Sequence, residues 1–120
     1  MRARRAVVAL LALGITAGGA VPALAHTELV SSGPKKGAVV KHLPKTIVLN
    51  FSEAVHRVDS GRVLLRGRNH ARWTRLNREN ASQIRIRTKA DAVGLYTVTV
   101  KLTSADGHKE RIRFRFRVKR

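Results

Sequence analysis

Cysteine is absent from the 120-residue chain, and methionine occurs once, at Met1. A chain without thiols forms no disulfide and no structural zinc site of the finger type. The lack of thiolate and thioether side chains after Met1 also removes the soft ligands that Cu(I) prefers. A small domain of this composition must therefore take its stability from packing, together with any contribution from a metal site.

Aromatic and acidic residues are also scarce. Aromatics make up 4% of the chain, and Trp73 and Tyr96 are the one Trp and the one Tyr. We expect both in the core or at its rim, because single rings form no stacking platform for single-stranded nucleic acid. Only 7 Asp and Glu oppose 25 Lys and Arg, which gives a formal charge of +18. Such a charge favours anionic partners, namely lipid head groups, wall polymers or nucleic acid.

Motifs of hydrolytic catalysis are missing as well. The sequence contains no nucleophile elbow, phosphate-binding loop, paired-histidine helix motif or thiol pair. We therefore expect a binding protein rather than an enzyme, and no specific recognition of nucleic acid.

Residues 1–25 have the layout of a secretory signal peptide. A basic start precedes an apolar run from Ala6 to Val21, and Ala23 and Ala25 are the small residues of a cleavage site. Cleavage after Ala25 would leave residues 26–120 as one domain in the periplasm or outside the cell. That domain carries a formal charge of +15, because three of the 25 basic residues and none of the 7 acids precede it. The alternative, an uncleaved anchor, is disfavoured because a spanning helix needs roughly 20 apolar residues.

Short strands separated by turns are predicted after residue 26. Apolar and polar residues alternate in residues 46–51, 96–102 and 111–118, which is typical of strands with one buried face. Ser60-Gly61 and residues 67–69 predict turns, and residues 71–78 predict a strand or a loop. Roughly seven strands without a helical segment indicate an all-β fold, either an antiparallel sandwich or a small barrel.

The predicted cleavage would create a metal chelate at His26. A free α-amine and the imidazole Nδ1 of one residue close a six-membered ring on a metal ion, which an internal histidine cannot do. Asp106 and His108 form a second ligand pair, since side chains at i and i+2 of an extended chain point the same way and Gly107 adds backbone freedom. By itself this triplet also fits a turn with a solvated histidine. Together, the amine, two imidazoles and one carboxylate suit Cu(II) better than zinc or magnesium.

The remaining histidines are predicted on the surface: His42, His56 and His70. His56 follows Glu53 by three residues and is the one of the three that could join the site.

Several motifs resemble the CopC family of copper-resistance proteins. The opening His-Thr-Glu-Leu-Val-Ser-Ser-Gly-Pro (residues 26–34) and Leu-Asn-Phe-Ser-Glu (49–53) are similar to the family's start. Gly-Leu-Tyr-Thr-Val (94–98), Ser-Ala-Asp-Gly-His (104–108) and the closing Phe-x-Phe-x-Val (114–118) are similar to its end. The likeness covers most of residues 26–118 and is weakest between 57 and 93.

The resemblance implies an immunoglobulin-like, Greek-key β-sandwich of about seven strands that binds one Cu(II) per chain. The ligands it implies are His26, Asp106 and His108, with Glu53 as a weak or axial ligand. It also implies a role in copper resistance, homeostasis or delivery to a CopD-type membrane copper transporter. The Met-rich Cu(I) site of some members cannot form here.

Two other functions compete with copper binding. The arginines at 111, 113, 115 and 117 alternate along the last strand and predict either a solvated edge or a surface for anionic lipid, wall polymer or nucleic acid. The second reading makes the chain a basic structural or interaction module. A terminal histidine also resembles the histidine brace of copper oxygenases, but those domains are much larger and do not need Asp106 as a ligand.

Overall fold

The computed structural model describes residues 27–120, in which all regular structure is β. Nine strands occur in this part of the chain. They are β1 (Leu29–Gly33), β2 (Val39–Val40), β3 (Thr46–Phe51), β4 (Val55–Leu65), β5 (Arg68–Asn69), β6 (Ala71–Asn77), β7 (Asn80–Thr88), β8 (Gly94–Ser104) and β9 (Lys109–Val118). Within residues 27–120 no helix is long and apolar enough to cross a membrane.

The strands form two sheets, in the orders β1-β3-β7-β6 and β2-β9-β8-β4-β5. All pairs are antiparallel except β2 with β9. The chain crosses between the sheets repeatedly, for example from β3 to β4 and from β7 to β8. The predicted all-β, immunoglobulin-like Greek-key sandwich is confirmed, and the barrel alternative is wrong because the sheets remain separate.

The core lies between the two sheets and is made by the inward rows of their strands. Tyr96 is fully buried, stacks on Phe116 with ring centroids 5.3 Å apart, and donates a hydrogen bond from its hydroxyl to Ala92 O at 2.7 Å. A buried tyrosine bonded to backbone a few residues upstream is the tyrosine corner of immunoglobulin-like folds. Burial of each large apolar side chain contributes about 1.5–3 kcal/mol. Besides Tyr96 and Phe116, the fully buried apolar residues are Ile47, Leu49, Val63, Ile84, Ile86, Val98, Val100, Leu102 and Val118.

The predicted turn at Ser60-Gly61 is wrong, because β4 continues through it. Two irregularities, between Val55 and Arg57 and between Val58 and Ser60, interrupt its pairing with β8. Each bulge shifts the inward and outward positions by one residue, so the alternation that signals a strand is lost in the sequence. The predicted turn at residues 67–69 contains the two-residue strand β5, and residues 71–77 form β6 rather than a loop.

The ends of the sandwich gather loops that are distant in sequence. At one end, called here the His108 end, the β8–β9 turn lies beside the β3–β4 connection, and Ala105 N donates to Ala54 O at 3.3 Å. At the other, called the Asp91 end, Leu43 N donates to the Asp91 carboxylate at 2.8 Å. The 11-residue strand β8 runs from the Asp91 end to the His108 end.

Candidate metal centre

The turn between β8 and β9 presents the predicted ligands Asp106 and His108. Ser104 N donates to His108 O at 2.8 Å, and Gly107 N donates to Ser104 O at 2.9 Å, so two backbone bonds close the turn. Gly107 has φ = +90°, a conformation that residues with a Cβ rarely adopt. Asp106 and His108 are therefore brought together by a tight turn, whereas the sequence analysis placed them on an extended chain.

The Asp106 carboxylate is the best-connected group of this turn. Its Oδ1 accepts a short hydrogen bond from Ser104 Oγ and a second from His108 N at 3.1 Å. Its Oδ2 lies 2.9 Å from His108 Nδ1. The Ser104 hydroxyl, followed by the side chain and backbone N–H of His108, holds the pKa of Asp106 well below its usual value. These contacts stabilise the ionised carboxylate, which is the form that binds a metal ion.

Both side chains remain open to solvent, with 53% of His108 and 39% of Asp106 exposed. When the imidazole proton is on Nδ1, facing Asp106, the lone pair lies on Nε2. When the proton is instead on Nε2, the Nδ1 lone pair and Asp106 Oδ2, which are 2.9 Å apart, can face one ion together. The turn therefore offers a carboxylate and an imidazole to an ion that approaches from solvent.

The first described residues of the chain pack against this same end. Thr27 is 3% exposed, and its backbone N donates to Glu110 Oε1 at 3.2 Å. Glu28 is joined to Ser52 by two hydrogen bonds, from Ser52 N to Glu28 O at 2.8 Å and from Glu28 N to Ser52 Oγ at 3.0 Å. The start of the domain is thereby fixed between the end of β3 and the start of β9. His26 itself lies outside the described residues, as does the predicted signal peptide.

Glu53 lies in the connection between β3 and β4, next to the β8–β9 turn. Its side chain is exposed, and the following Ala54 receives the hydrogen bond from Ala105 N. His56 is exposed in β4. Within residues 27–120 no three His, Cys, Asp or Glu side chains lie close enough together to hold a metal ion. Asp106 and His108 are thus brought together, and Glu53 is on a neighbouring loop.

The other two histidines belong elsewhere. His42 is exposed at the Asp91 end, where its Nδ1 lies 2.9 Å from Asp91 Oδ2. His70 is buried rather than on the surface as predicted: its ring meets Tyr96 edge to face, and its Nδ1 bonds to the Lys89 and Ala90 carbonyls. This environment arises only when the chain between β5 and β6 packs against Tyr96 of β8.

Ser104 and Glu110 are the residues of this end that sequence reasoning missed. Both occupy inward positions, Ser104 in the row that contains Tyr96 and Leu102, and Glu110 in the row that contains Phe114. A polar residue at the end of an otherwise apolar inward row costs free energy unless it has partners. That break in the apolar pattern is the sequence feature that could have identified both residues. It marks the end of the sandwich at which the Asp106 and His108 side chains lie.

Comparison with known proteins gives a consistent result. The CopC domain family matches residues 29–119. Protein YobA of Escherichia coli (strain K12) is 35% identical over 100 residues, covering 79% of this chain and 80% of that protein. The crystal structure of CopC from Methylosinus trichosporium OB3b has a TM-score of 0.72 and 25% identity, covering 78% of this chain and 94% of that one. PcoC, a methionine-rich copper resistance protein from Escherichia coli, has a TM-score of 0.69 and 26% identity over 79% of this chain and 100% of its own.

Proposed function

The chain belongs to the CopC family of copper-resistance proteins, and we propose that it is an exported, non-catalytic protein that binds one Cu(II) ion. The proposed ligands are the α-amine and imidazole of His26, freed by cleavage after Ala25, with Asp106 and His108. Glu53 is proposed as a weak or axial ligand, since its loop adjoins the β8–β9 turn.

The observation that carries this proposal is the hydrogen bond between Thr27 N and Glu110 Oε1. Glu110 follows His108 by two residues, so the bond fixes Thr27 beside the turn that presents Asp106 and His108. Consecutive α-carbons are about 3.8 Å apart, so His26 is covalently confined to the neighbourhood of Thr27. A chelate at residue 26 would therefore have little conformational freedom to lose when it joins the two ligands of the turn.

The donor set favours copper in its oxidised form. Three nitrogens and one carboxylate oxygen in a tetragonal plane suit Cu(II), and the Irving–Williams order adds to that preference. PcoC is described as methionine-rich, whereas this chain has no methionine after Met1 and no cysteine. The site proposed here therefore has no soft ligand with which to favour Cu(I).

Local anions oppose the repulsion that a strongly basic domain exerts on a metal cation. The Asp106 carboxylate has a lowered pKa, and the Glu110 carboxylate lies beside Thr27. Attraction to anionic groups a few ångströms away outweighs the repulsion from distant surface arginines, which is screened over a Debye length of about 8 Å at physiological salt. The biological role proposed is copper resistance or homeostasis, with transfer of the ion to a CopD-type membrane transporter.

Extension of the N-terminus tests the chelate directly. A domain starting at His26 should bind Cu(II) at least about 100-fold more tightly than one starting with an added Ala before His26, a difference of about 2.7 kcal/mol. The extension turns the α-amine into an amide and leaves every described contact intact. Competition titration measures the affinity, and electron paramagnetic resonance should show loss of one nitrogen ligand.

A form with the same Ala added after Arg120 is the matched control and should bind like the authentic domain. Equal Cu(II) affinity with and without the N-terminal Ala would refute the proposed site.

A further inference from the structure

The outer face of the five-stranded sheet carries rows of cations on adjacent strands. In β9 the outward residues are Lys109 and four arginines, and the register places Arg111 opposite Lys101 and Arg113 opposite Thr99 of β8. On the other side of β8, Arg62 of β4 also lies opposite Thr99. We call this set the basic face; its cations are Arg62, Lys101, Arg111, Arg113, Arg115 and Arg117. The sequence revealed only the β9 row, because the others join it through strand pairing.

These cations lack anionic partners within the part of the chain that the structure describes. The ion pairs of residues 27–120 involve Asp59, Asp91 and Asp106, and none includes a member of the basic face. Side chains two apart on a strand are about 6.6 Å apart, and neighbouring strands are about 4.8 Å apart. Like charges at such spacing destabilise a sheet, and an external anionic surface removes that penalty.

A shallow trough runs over this face and suits phosphate groups. Its volume is about 560 Å³, and its lining includes Arg62, Arg66, Arg111 and Arg113 with the hydroxyls of Thr97 and Thr99. Guanidinium groups bind phosphate oxygens through two parallel hydrogen bonds.

Exposed apolar side chains adjoin the arginines at the Asp91 end of the same face. Leu95 and Val39 both lie opposite Arg117 in register, and they are 39% and 64% exposed. Val93, 42% exposed, shares a second shallow depression with Arg66 and Arg117. Apolar side chains beside cations fit the boundary between lipid head groups and acyl chains, whereas a nucleic acid or a soluble polyanion gains nothing from them.

We propose that the basic face docks on an anionic phospholipid bilayer, with Leu95 and Val39 entering the head-group region beside Arg117. The inference goes beyond copper binding and does not depend on it. Asp106 and His108 lie at the other end of β8 from Leu95, so docking leaves the candidate metal centre uncovered. The domain would thus be concentrated at a membrane surface with its metal-binding turn still accessible.

Vesicle co-sedimentation of residues 26–120 tests the proposal, since this form lacks the apolar run of residues 6–21, which would itself enter lipid. Vesicles of phosphatidylcholine with about one-third phosphatidylglycerol should bind the domain at low salt, and pure phosphatidylcholine should not. Each basic residue near such a surface contributes about a factor of five, so R113Q/R115Q should weaken binding by roughly 30-fold. The control R72Q/R85Q removes two exposed arginines of the other sheet and should weaken binding much less.

Two further outcomes decide between faces and between partners. Equal losses in the two double variants would overturn the proposal, because net charge alone would then explain binding. The variant V39S/L95S keeps every charge and should bind the anionic vesicles less tightly than the parent, while its binding to duplex DNA should not change. An unaltered affinity for vesicles in this variant, with thermal melting showing an intact fold, would replace the bilayer with a soluble polyanion.

Discussion

At the scale of single residues, the β8–β9 turn shows how a common motif acquires a specific geometry. Asp-Gly-His is also an ordinary turn sequence, and the motif by itself does not determine how its nitrogen and oxygen atoms are oriented. Ser104 supplies the orientation, because its hydroxyl contacts Asp106 Oδ1 from a buried position. Removal of a polar group that holds a metal ligand in place commonly lowers the metal affinity by 10–100-fold.

The first prediction at this scale concerns Ser104→Ala. Loss of the hydroxyl removes the largest cause of the lowered pKa of Asp106 and frees the carboxylate to rotate. We expect Cu(II) affinity to fall by about tenfold or more, measured by competition titration. Ser104→Thr retains a hydroxyl and should restore most of the affinity, and Ser60→Ala, on the exposed face of β4, should have no effect. Unchanged affinity in a folded S104A protein would contradict this role.

At the scale of elements, β4 is the strand whose sequence pattern and structure differ most. The sequence predicts a turn at Ser60-Gly61, yet these residues lie within β4 and pair with β8 across two bulges. Gly61 lies where β4 approaches β6, and a Cβ at this position would overlap the Thr74 side chain. The glycine therefore permits a close approach between strands of different sheets. In the sequence, the same glycine predicts a turn.

Gly61→Ala should consequently destabilise the fold by about 1–3 kcal/mol through overpacking. The measurement is urea unfolding of the parent, G61A, T74G and the double variant. Removal of the Thr74 side chain makes room for the new methyl group, so G61A should cost much less in the T74G background. Gly33→Ala is the control, because no atom lies within 4 Å of its Cβ position. A cost of G61A that is the same in both backgrounds would show that the clash is not the cause.

At the scale of the whole molecule, two ends of one sandwich carry different polar clusters. At the Asp91 end the carboxylate of Asp91 joins three segments: it accepts from Leu43 N, pairs with His42, and meets Arg120 at 2.7 Å. The Leu43 N–H, then His42 and Arg120, lower the pKa of Asp91 to about 2 from its usual 3.8. This cluster closes the end of the fold opposite to the candidate metal centre.

The corresponding prediction is a pH dependence of stability. A carboxyl group whose pKa is lowered by folding stabilises the native state above its unfolded pKa and loses that contribution as pH falls toward the folded value. The stability difference between the parent and Asp91→Asn should therefore be largest above about pH 4 and disappear near pH 2. Urea unfolding of the copper-free protein at several pH values measures it. Glu79→Gln, an exposed acid between β6 and β7, should show no such trend, and a pH-independent D91N difference would refute the assignment.

The sequence alone determined the class of fold and the chemistry available to it. Alternation in residues 46–51, 96–102 and 111–118 is a local property, and it assigned their strands and most of the core correctly. The Asp-Gly-His motif likewise named two side chains that the structure brings together. The role of His26 stays a prediction, because that residue lies outside the described part.

Tertiary structure decided what depends on contacts between distant segments. Strand pairing or packing is required for four features. They are the bulges of β4, the burial of His70, the basic face across β4, β8 and β9, and the hydrogen bond from Thr27 to Glu110. Local sequence determines which side chains of a strand share a face. The register between strands, and the contacts between loops that are distant in sequence, depend on the whole set of packed strands. For that reason the ligand types could be read from the sequence, whereas the residues that orient them could not.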